Sequence, residues 1–467
     1  MIQRFKDKFI GSRAFYVQML GIAVPIMIQN GITNFVGLLD NIMVGQLGTE
    51  QMSGVSIVNQ LLFVYNLCIF GGLAGVGMFT AQYFGLKDNE GIRHTFRYKI
   101  WLGLSVTLAA FLIFFLWGDK LIELYLNGSS NGGNLRLAFD CGVDYLRIIL
   151  LGLPPFVLLQ VYASTLRACG ETKVPMRAGM TAVLVNLALN YLLIFGRMGF
   201  PCLGARGAAI ATVLSRYVEL CAVAVWTHRH REENPYIVGI YRTLRVPAVL
   251  VEKYFVKGIP LLINEGLWSG GTAVVAQCYS LRGLTIVAGL NIANTIHDLF
   301  NVSFQAMGES VAIIVGQLLG AGKMREARDT DNKMIAFVVL SSFGIALVML
   351  AIAPLFPQIY RTDAEVRAAA AGFIAVQAAF LPQNAFLNTT YFTLQAGGKT
   401  WITFIYDCVC IWGISVPLAF VLSRYTGLDA HLIYAFVGVG EWAKCLLGFV
   451  MVRKGVWLQN IVSDPQT

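Results

Sequence analysis

The sequence has few charged side chains. Only 13% of its 467 residues are Asp, Glu, Lys or Arg, and 57% are hydrophobic. A soluble protein carries about 25% charged residues. The composition therefore excludes an ordinary soluble protein and predicts a membrane protein.

The sequence also lacks recognisable metal and nucleotide motifs. Its nine cysteines are scattered, with no C-x-x-C pair and no His/Cys metal spacing. The stretch GAGK (320–323) lacks the full Walker spacing of a phosphate-binding loop. We therefore expect no resident cofactor and no transport driven by ATP, and we interpret the cysteines as small apolar residues.

Long apolar runs dominate the chain. A membrane-spanning helix needs about 20 mostly apolar residues, and the alternating pattern of an outer-membrane barrel does not occur. The prediction is an all-α polytopic membrane protein with twelve transmembrane helices. The predicted spans are 15–39, 51–77, 98–118, 138–163, 176–196, 206–227, 254–279, 286–318, 334–356, 368–394, 401–422 and 430–452.

The basic residues are distributed unevenly among the loops. With the N-terminus inside, 24 of the 35 Lys and Arg fall in one set of loops, eight in the opposite set and three within spans. By the positive-inside rule, both termini are cytoplasmic, in a multi-pass protein of the inner membrane. The net charge of +9 thus needs no nucleic-acid partner.

The chain repeats itself. Shifted by 235 positions, residues 24–93 match the second half without a gap, and TLRACGETKVP (165–175) matches TLQAGGKTWIT (393–403) at an offset of 228. Equivalent pairs include Pro25/Pro260, Gln82/Gln317 and Gly85/Gly320. Because six spans is an even number, the repeats are parallel. This predicts two six-helix lobes, 1–227 and 254–467, with a cytoplasmic linker at 228–253.

Several motifs, in this order and spacing, resemble the MATE (multidrug and toxic compound extrusion) family. They are P-x14-D-N-I-M-V-G, GVSIVNQ, TAQYFG, STLRACGETKVP, NLALNYLLIFG, LGARGAAIATV, GIPLLINEGLW, VGQLLGAG and TLQAGGKT. The resemblance implies two lobes around a central cleft and the export of drugs by antiport with Na⁺ or H⁺. It also implies small organic cations as cargo, the lipid bilayer as surroundings and, we expect, a monomer.

Asp40 is the only charged residue between Arg13 and Glu50. Acids inside a membrane usually mark ion pathways, although a structural carboxylate is the alternative. Asn186 and Asn190 lie four apart, on one helix face. The resemblance implies that they form a cation-coupling site with Asp40 and Thr212, which could hold Na⁺. Some members carry Asp at the position of Asn190, so a single acid here favours H⁺.

Glu265 is the lone acid of the seventh span. In many family members the acid of this span lies at the position of Trp268, and the acid of the tenth span at that of Asn384. The two-carboxylate site implied by the family is therefore not intact. We expect Glu265, with Trp268 and Asn384, to bind a cationic substrate or to carry a proton.

Three other charge pairs lie three residues apart, the spacing of neighbours on a helix. They are Asp144–Arg147, Arg216–Glu219 and Glu441–Lys444, and we interpret them either as self-neutralised structural pairs or as side chains near the ends of spans whose charged groups extend to the membrane surface. His297, Asp298 and Glu309 in the eighth span receive no firm role.

The sequence thus predicts a secondary transporter rather than an enzyme, exporting amphipathic, often cationic, compounds in exchange for H⁺ or Na⁺. One alternative is a flippase for lipid-linked precursors, which would line its cleft with Arg and Lys. Another is a membrane-embedded transferase, for which His297–Asp298 would be the sole candidate acid–base pair.

Overall fold

The computed structural model describes residues 9–127, 135–360 and 362–463, and within these ranges every regular element is a helix. Arg4, Lys6, Lys8 and Arg361, which enter the charge count, lie outside the described residues.

Twelve long helical segments follow one another along the described chain. In the first half they are α1 (Arg13–Gly45), α2 (Thr49–Leu86), α3 (Asn89–Asn127), α4 (Leu135–Ala168), α5 (Lys173–Phe195) and α6 (Ala205–Arg229). In the second half they are α7 (Ala248–Ser280), α8 (Leu284–Gly320), α9 (Met324–Ile352), α10 (Ala364–Ala396), α11 (Thr400–Tyr425) and α12 (Ala430–Lys454).

All of these segments except α7 are long and apolar enough to cross a membrane, so eleven such segments occur in the described ranges. Helix α7 is continuous over 33 residues, but Asn264 and Glu265 in its middle lower its hydropathy. Helices are expected here because lipid cannot satisfy open backbone groups. The predicted all-α polytopic fold is confirmed.

Three of the segments are locally irregular. In α12, a turn at Glu441 separates the helical stretches Ala430–Gly440 and Trp442–Lys454. In α4, a 3₁₀ turn at Leu150–Gly152 joins two α-helical stretches. In α11, π-helical turns at Ile405–Val409 and Ile411–Ser415 separate the ends of the segment. Single π turns of this kind are frequent at functional sites.

The chain forms two compact units. One comprises Ile28–Thr80 and Asp88–Phe255, called here the N-half unit. The other, the C-half unit, comprises the described residues up to Met27, Ala81–Lys87 and the described residues from Val256 onward. Helix α1 therefore changes unit just after Pro25. The lobe bounds 1–227 and 254–467 stay a prediction.

The predicted linker, 228–253, is docked on α3 inside the N-half unit. The Nε atoms of Arg93 and Arg97 donate to the carbonyls of Tyr236 and Ile240, each at 3.1 Å. The indole of Trp101 donates to the carbonyl of Leu244 at 2.9 Å. These side chains satisfy linker carbonyls in place of water, so this segment has a fixed course along α3.

Candidate functional site

Asp40 lies on α1 and is bonded by a residue of α5. The amide nitrogen Nδ2 of Asn190 donates to Asp40 Oδ1 at 2.5 Å, across 150 positions of the chain. Asn190 is fully buried, at 0% exposure, and Asp40 is partly exposed. A carboxylate inside the membrane is thereby held by a donor on a neighbouring helix.

The hydrogen bonds continue from Asn190 to Thr212. Asn190 Nδ2 also donates to Asn186 Oδ1 at 3.1 Å, and Asn186 Nδ2 donates to Thr212 Oγ1 at 3.4 Å. The structure thus joins all four residues of the predicted first site in one chain. We call this set (Asp40, Asn190, Asn186 and Thr212) the Asp40 chain.

One hydrogen-bond acceptor of the Asp40 chain has no donor among the described residues. The carbonyl oxygen Oδ1 of Asn190 is buried and has no hydrogen-bond partner among the described residues. A buried amide oxygen without a partner is costly, and carboxylate, amide and hydroxyl oxygens are the ligands of hard cations. The described residues contain no group of three or more His, Cys, Asp and Glu that could hold a metal ion, so any cation here would rely on one carboxylate.

Arg216 on α6 is a further candidate for a functional role. The sequence pattern assigns it only to a structural pair with Glu219. Its Nη1 lies 3.3 Å from Glu219 Oε2, which confirms that pair. Its guanidinium carbon also lies 5.2 Å from the ring centre of Phe156, a cation–π distance. In addition, Arg216 interacts electrostatically with Asp40. The carboxylate of Asp40 therefore has a positive charge in its surroundings.

The second half contains its own polar cluster. Tyr391 donates from its hydroxyl to Glu265 Oε1 at 3.3 Å. The next residue along α7, Asn264, donates from Nδ2 to Asp407 Oδ2 at 3.0 Å. Lys444 Nζ donates to Asp407 Oδ1 at 2.5 Å. We call this set (Asn264, Glu265, Tyr391, Asp407 and Lys444) the Asp407 cluster.

Asp407 is absent from the sequence predictions, although a signal exists. It is the only charged residue between Lys399 and Arg424, the same pattern that singled out Asp40. Lys444 forms its ion pair with Asp407 on the neighbouring helix, so the predicted Glu441–Lys444 pair is wrong as a direct contact, although the two charges still interact electrostatically. Glu441 instead accepts a hydrogen bond from Ser415 Oγ at 3.4 Å.

The other members of the predicted second site are only partly assembled. Trp268 lines a small cavity of about 30 Å³ together with Glu441 and Lys444. Asn384 is half-buried on α10, and no hydrogen bond joins it to Glu265 within the described ranges. The structure therefore connects Glu265 to Asp407 and its partners more closely than to Asn384.

The Asp144–Arg147 pair is also wrong. Asp144 accepts from Arg206 at 2.5 Å, and Arg147 lies 3.6 Å from Asp119. Spacing along one helix misses these pairs because each partner comes from another helix. His297 Nδ1 is buried without a partner among the described residues, and neither His297 nor Asp298 joins either polar set.

Within the described ranges, twelve long helical segments contain two buried polar sets, an arrangement typical of polytopic membrane transporters. The sequence model of the MatE family matches residues 25–192 and again residues 260–421. The two matches begin at Pro25 and Pro260, at the offset of the internal repeat. The chain belongs to the MatE family, and as such it is a transporter and not an enzyme.

Relatives match along most of the chain. It is 26% identical to the probable multidrug resistance protein NorM of Thermotoga maritima, over 90% of this chain and 88% of that protein. It is also 26% identical to the multidrug resistance protein PmpM of Pseudomonas aeruginosa, over 88% and 84%. A solved outward-facing multidrug resistance MATE family transporter of the MOP superfamily is similar in fold, with a TM-score of 0.82, 20% identity and 94% of each chain covered.

Proposed function

We propose that this protein is a secondary active antiporter that exports amphipathic, often cationic, organic compounds in exchange for H⁺ or Na⁺. The observation that carries the proposal is the Asp40 chain, in which a single intramembrane carboxylate accepts from Asn190, and Asn190 is linked through Asn186 to Thr212. The relatives named multidrug resistance proteins support small organic compounds as the cargo.

Asp40 is the coupling group in this proposal. When it binds a proton or a cation, its charge is neutralised and Asn190 loses a strong acceptor. When the cation leaves, the carboxylate again needs the amide of Asn190 and the positive charge of Arg216. The two states thus favour different arrangements around α1 and α5, and a cation that binds one arrangement more tightly shifts the population towards it.

A proton fits this site better than sodium. Sodium needs several oxygen ligands and is favoured by more than one carboxylate. The Asp40 chain offers one carboxylate, the Asn190 and Asn186 amide oxygens and the Thr212 hydroxyl. We therefore favour H⁺, with Na⁺ as the alternative ion and no other cofactor.

Glu265 serves the second half in the proposal, either by binding the cargo cation or by carrying a proton. The protein acts in the inner membrane as a monomer with both termini in the cytoplasm, in line with the excess of Lys and Arg in one set of loops. It needs no nucleic-acid partner.

The two alternatives differ in their requirements. Membership of a transporter family removes the transferase. A flippase for lipid-linked precursors would need free Arg or Lys side chains for a diphosphate. Arg216 and Lys444 are instead each neutralised by a carboxylate, Glu219 and Asp407, and this favours the efflux of organic cations.

The proposal is tested in proteoliposomes loaded with ethidium, a fluorescent organic cation. A proton gradient and a sodium gradient are imposed separately on wild type and on Asp40→Asn. We expect one gradient to drive ethidium movement in wild type and neither to do so in the variant. Movement that survives in the variant, or that neither gradient drives in wild type, would contradict the proposal.

A further inference from the structure

The Asp407 cluster already holds a cation, the ammonium group of Lys444. Its Nζ lies 2.5 Å from Asp407 Oδ1, and the two side chains are only 14% and 12% exposed. The same Nζ lies 4.9 Å from the ring centre of Tyr406, within the range of a cation–π contact. A carboxylate and an aromatic face are thus arranged around a positive charge that the protein itself supplies.

The cluster has more negative than positive charge. Glu265 interacts electrostatically with Asp407, and Tyr391 fixes its carboxylate. Asp407 is paired with Lys444 and also accepts from Asn264 at its second oxygen, whereas Glu265 forms no ion pair among the described residues. A buried carboxylate without a neutralising cation is costly, so Glu265 can take a second positive charge beside Asp407.

A second carboxylate, that of Glu441, lies on the same helix as Lys444 and within reach of its ammonium group. Lys444 interacts electrostatically with Glu441, which lies three residues earlier, and both side chains line the cavity of about 30 Å³ beside Trp268. A space of about 10–15 Å³ already holds one water. The ammonium group therefore has both room and a partner if it leaves Asp407.

The backbone of α11 is irregular at the same place. Asp407 lies within its first π turn, and Ser415, the donor to Glu441, ends the second. A π turn widens the helix locally and presents side chains at positions that an α-helix would not. Both carboxylate partners of Lys444 are thus tied to this irregular stretch.

We propose that the Asp407 cluster is a binding site for organic monocations in which Lys444 is a built-in competitor. An incoming ammonium, iminium or quaternary nitrogen binds between Glu265 and Asp407, and the Lys444 ammonium moves to Glu441. Asp407 keeps a cation throughout the exchange, and Glu265 and Glu441, which form no ion pair among the described residues, each gain one. This inference rests on the proposed function in one respect, that the cargo is cationic.

The proposal predicts that substitutions at Lys444 and Glu441 change the affinity for ethidium in opposite directions. Ethidium binding is measured at equilibrium on purified protein in detergent, by quenching of tryptophan fluorescence, with Trp268→Phe to assign the signal to this site. Lys444→Met removes the competitor and is expected to bind ethidium about tenfold more tightly, equal to about 1.4 kcal/mol. Glu441→Gln keeps the Asp407–Lys444 pair but removes the second partner of Lys444, and is expected to bind about tenfold more weakly.

A double variant separates competition from a general effect on structure. In Lys444→Met/Asp407→Asn both members of the ion pair are neutral, so we expect this variant to fold as wild type does and the gain in affinity to disappear. Size-exclusion chromatography and thermal unfolding verify that each variant is folded. The proposal is overturned if Lys444→Met binds no more tightly than wild type, if its gain survives in the double variant, or if Glu441→Gln binds as wild type does.

The test is independent of ion coupling, because no gradient is present. If wild type transports ethidium in proteoliposomes and the variants do not change its affinity, the binding site is wrong and the proposed function stands. If wild type binds ethidium with the predicted pattern but no ion gradient drives its movement, the antiport proposal fails and the binding site stands.

Discussion

Gly85 and Gly320 hold equivalent positions in the two repeats, and each lies against the backbone of the other's helix. A β-carbon at Gly85 would lie 1.9 Å from the carbonyl oxygen of Gln317, and one at Gly320 would lie 1.9 Å from that of Gln82. Gln82 and Gln317 are themselves equivalent in the repeat. The crossing of α2 and α8 inside the C-half unit is therefore symmetric, as parallel repeats require.

Alanine at either glycine should be strongly destabilising. The atom in the way is a backbone carbonyl, which cannot move without shifting its helix, so Gly85→Ala and Gly320→Ala should each cost about 3 kcal/mol. Gly77→Ala on α2 is the matched control, because nothing lies within 4 Å of its β-carbon position. Thermal unfolding in detergent measures all three, and equal melting temperatures for Gly85→Ala and Gly77→Ala would contradict the symmetric crossing.

Replacing each of the equivalent threonines Thr165 and Thr393 should lower the stability of the protein by a different amount. Thr165 Oγ1 accepts from the buried Lys99, which also donates to Ser164 at 3.2 Å. Thr393 donates to the buried Asp331 at 2.6 Å, and the other oxygen of Asp331 has no partner among the described residues. Thr393→Val should therefore lower the free energy of unfolding by about 1–3 kcal/mol. Thr165→Val should lower it by less, because Ser164 still accepts a hydrogen bond from Lys99.

The comparison uses the two valine variants under identical conditions, since the volume change is the same in both. The measured quantity is the melting temperature in one detergent and at one pH. A loss from Thr165→Val that equals or exceeds the loss from Thr393→Val would show that Ser164 does not support Lys99 as described.

Arg216 should be needed for stability mainly because of Glu219. The Glu219 side chain is only 8% exposed, so Arg216→Met leaves a buried acid without its cation and should cost about 3 kcal/mol. Arg216→Met/Glu219→Gln removes both charges and should recover most of that loss. The free energy of unfolding of both variants is measured by denaturation beside that of wild type. If the double variant is as unstable as Arg216→Met, the contact of Arg216 with Phe156 matters more for stability than its ion pair with Glu219.

Asn190→Asp should shift the ion preference towards sodium. It would place a second carboxylate beside Asp40, where a hard cation between two carboxylates is favoured. We expect Asn190→Asp to bind Na⁺ about tenfold more tightly than wild type, which corresponds to about 1.4 kcal/mol, and a sodium gradient to drive more ethidium efflux in the variant than in wild type. Asn190→Leu is the control that removes the hydrogen bond and adds no charge. If Asn190→Asp responds to sodium as wild type does, Asn190 is not part of the ion site.

The Asp40 chain could be predicted from the sequence because each of its parts leaves a local signal. A lone acid in an apolar run is costly enough to be conspicuous, and Asn186 and Asn190 share a helix face by their spacing. Thr212 came from the family resemblance, and the hydrogen bonds join it to the same chain. The twelve helical segments of the described ranges could equally be predicted from the long apolar runs, because lipid permits few other backbone structures.

The charge pairs could not be predicted in the same way. Spacing along a helix identified Arg216–Glu219 but failed for Lys444 and Asp144, whose partners lie on other helices. Lys99 likewise counted as a loop residue in the charge distribution, yet it is fully buried on α3 and bonded to hydroxyl groups of α4. Contacts between helices depend on their rotation and depth, which a single sequence does not specify.

The central claim is that Asp40 couples the movement of an ion to that of the cargo. Because coupling is reciprocal, an ethidium gradient alone should drive the ion in the opposite direction. Proteoliposomes containing a pH indicator, or a sodium indicator, are given such a gradient with wild type and Asp40→Asn. We predict that wild type shows opposite movement of H⁺, or of Na⁺ if that is the ion, and that Asp40→Asn shows none. Ion movement of equal size in Asp40→Asn would contradict the account.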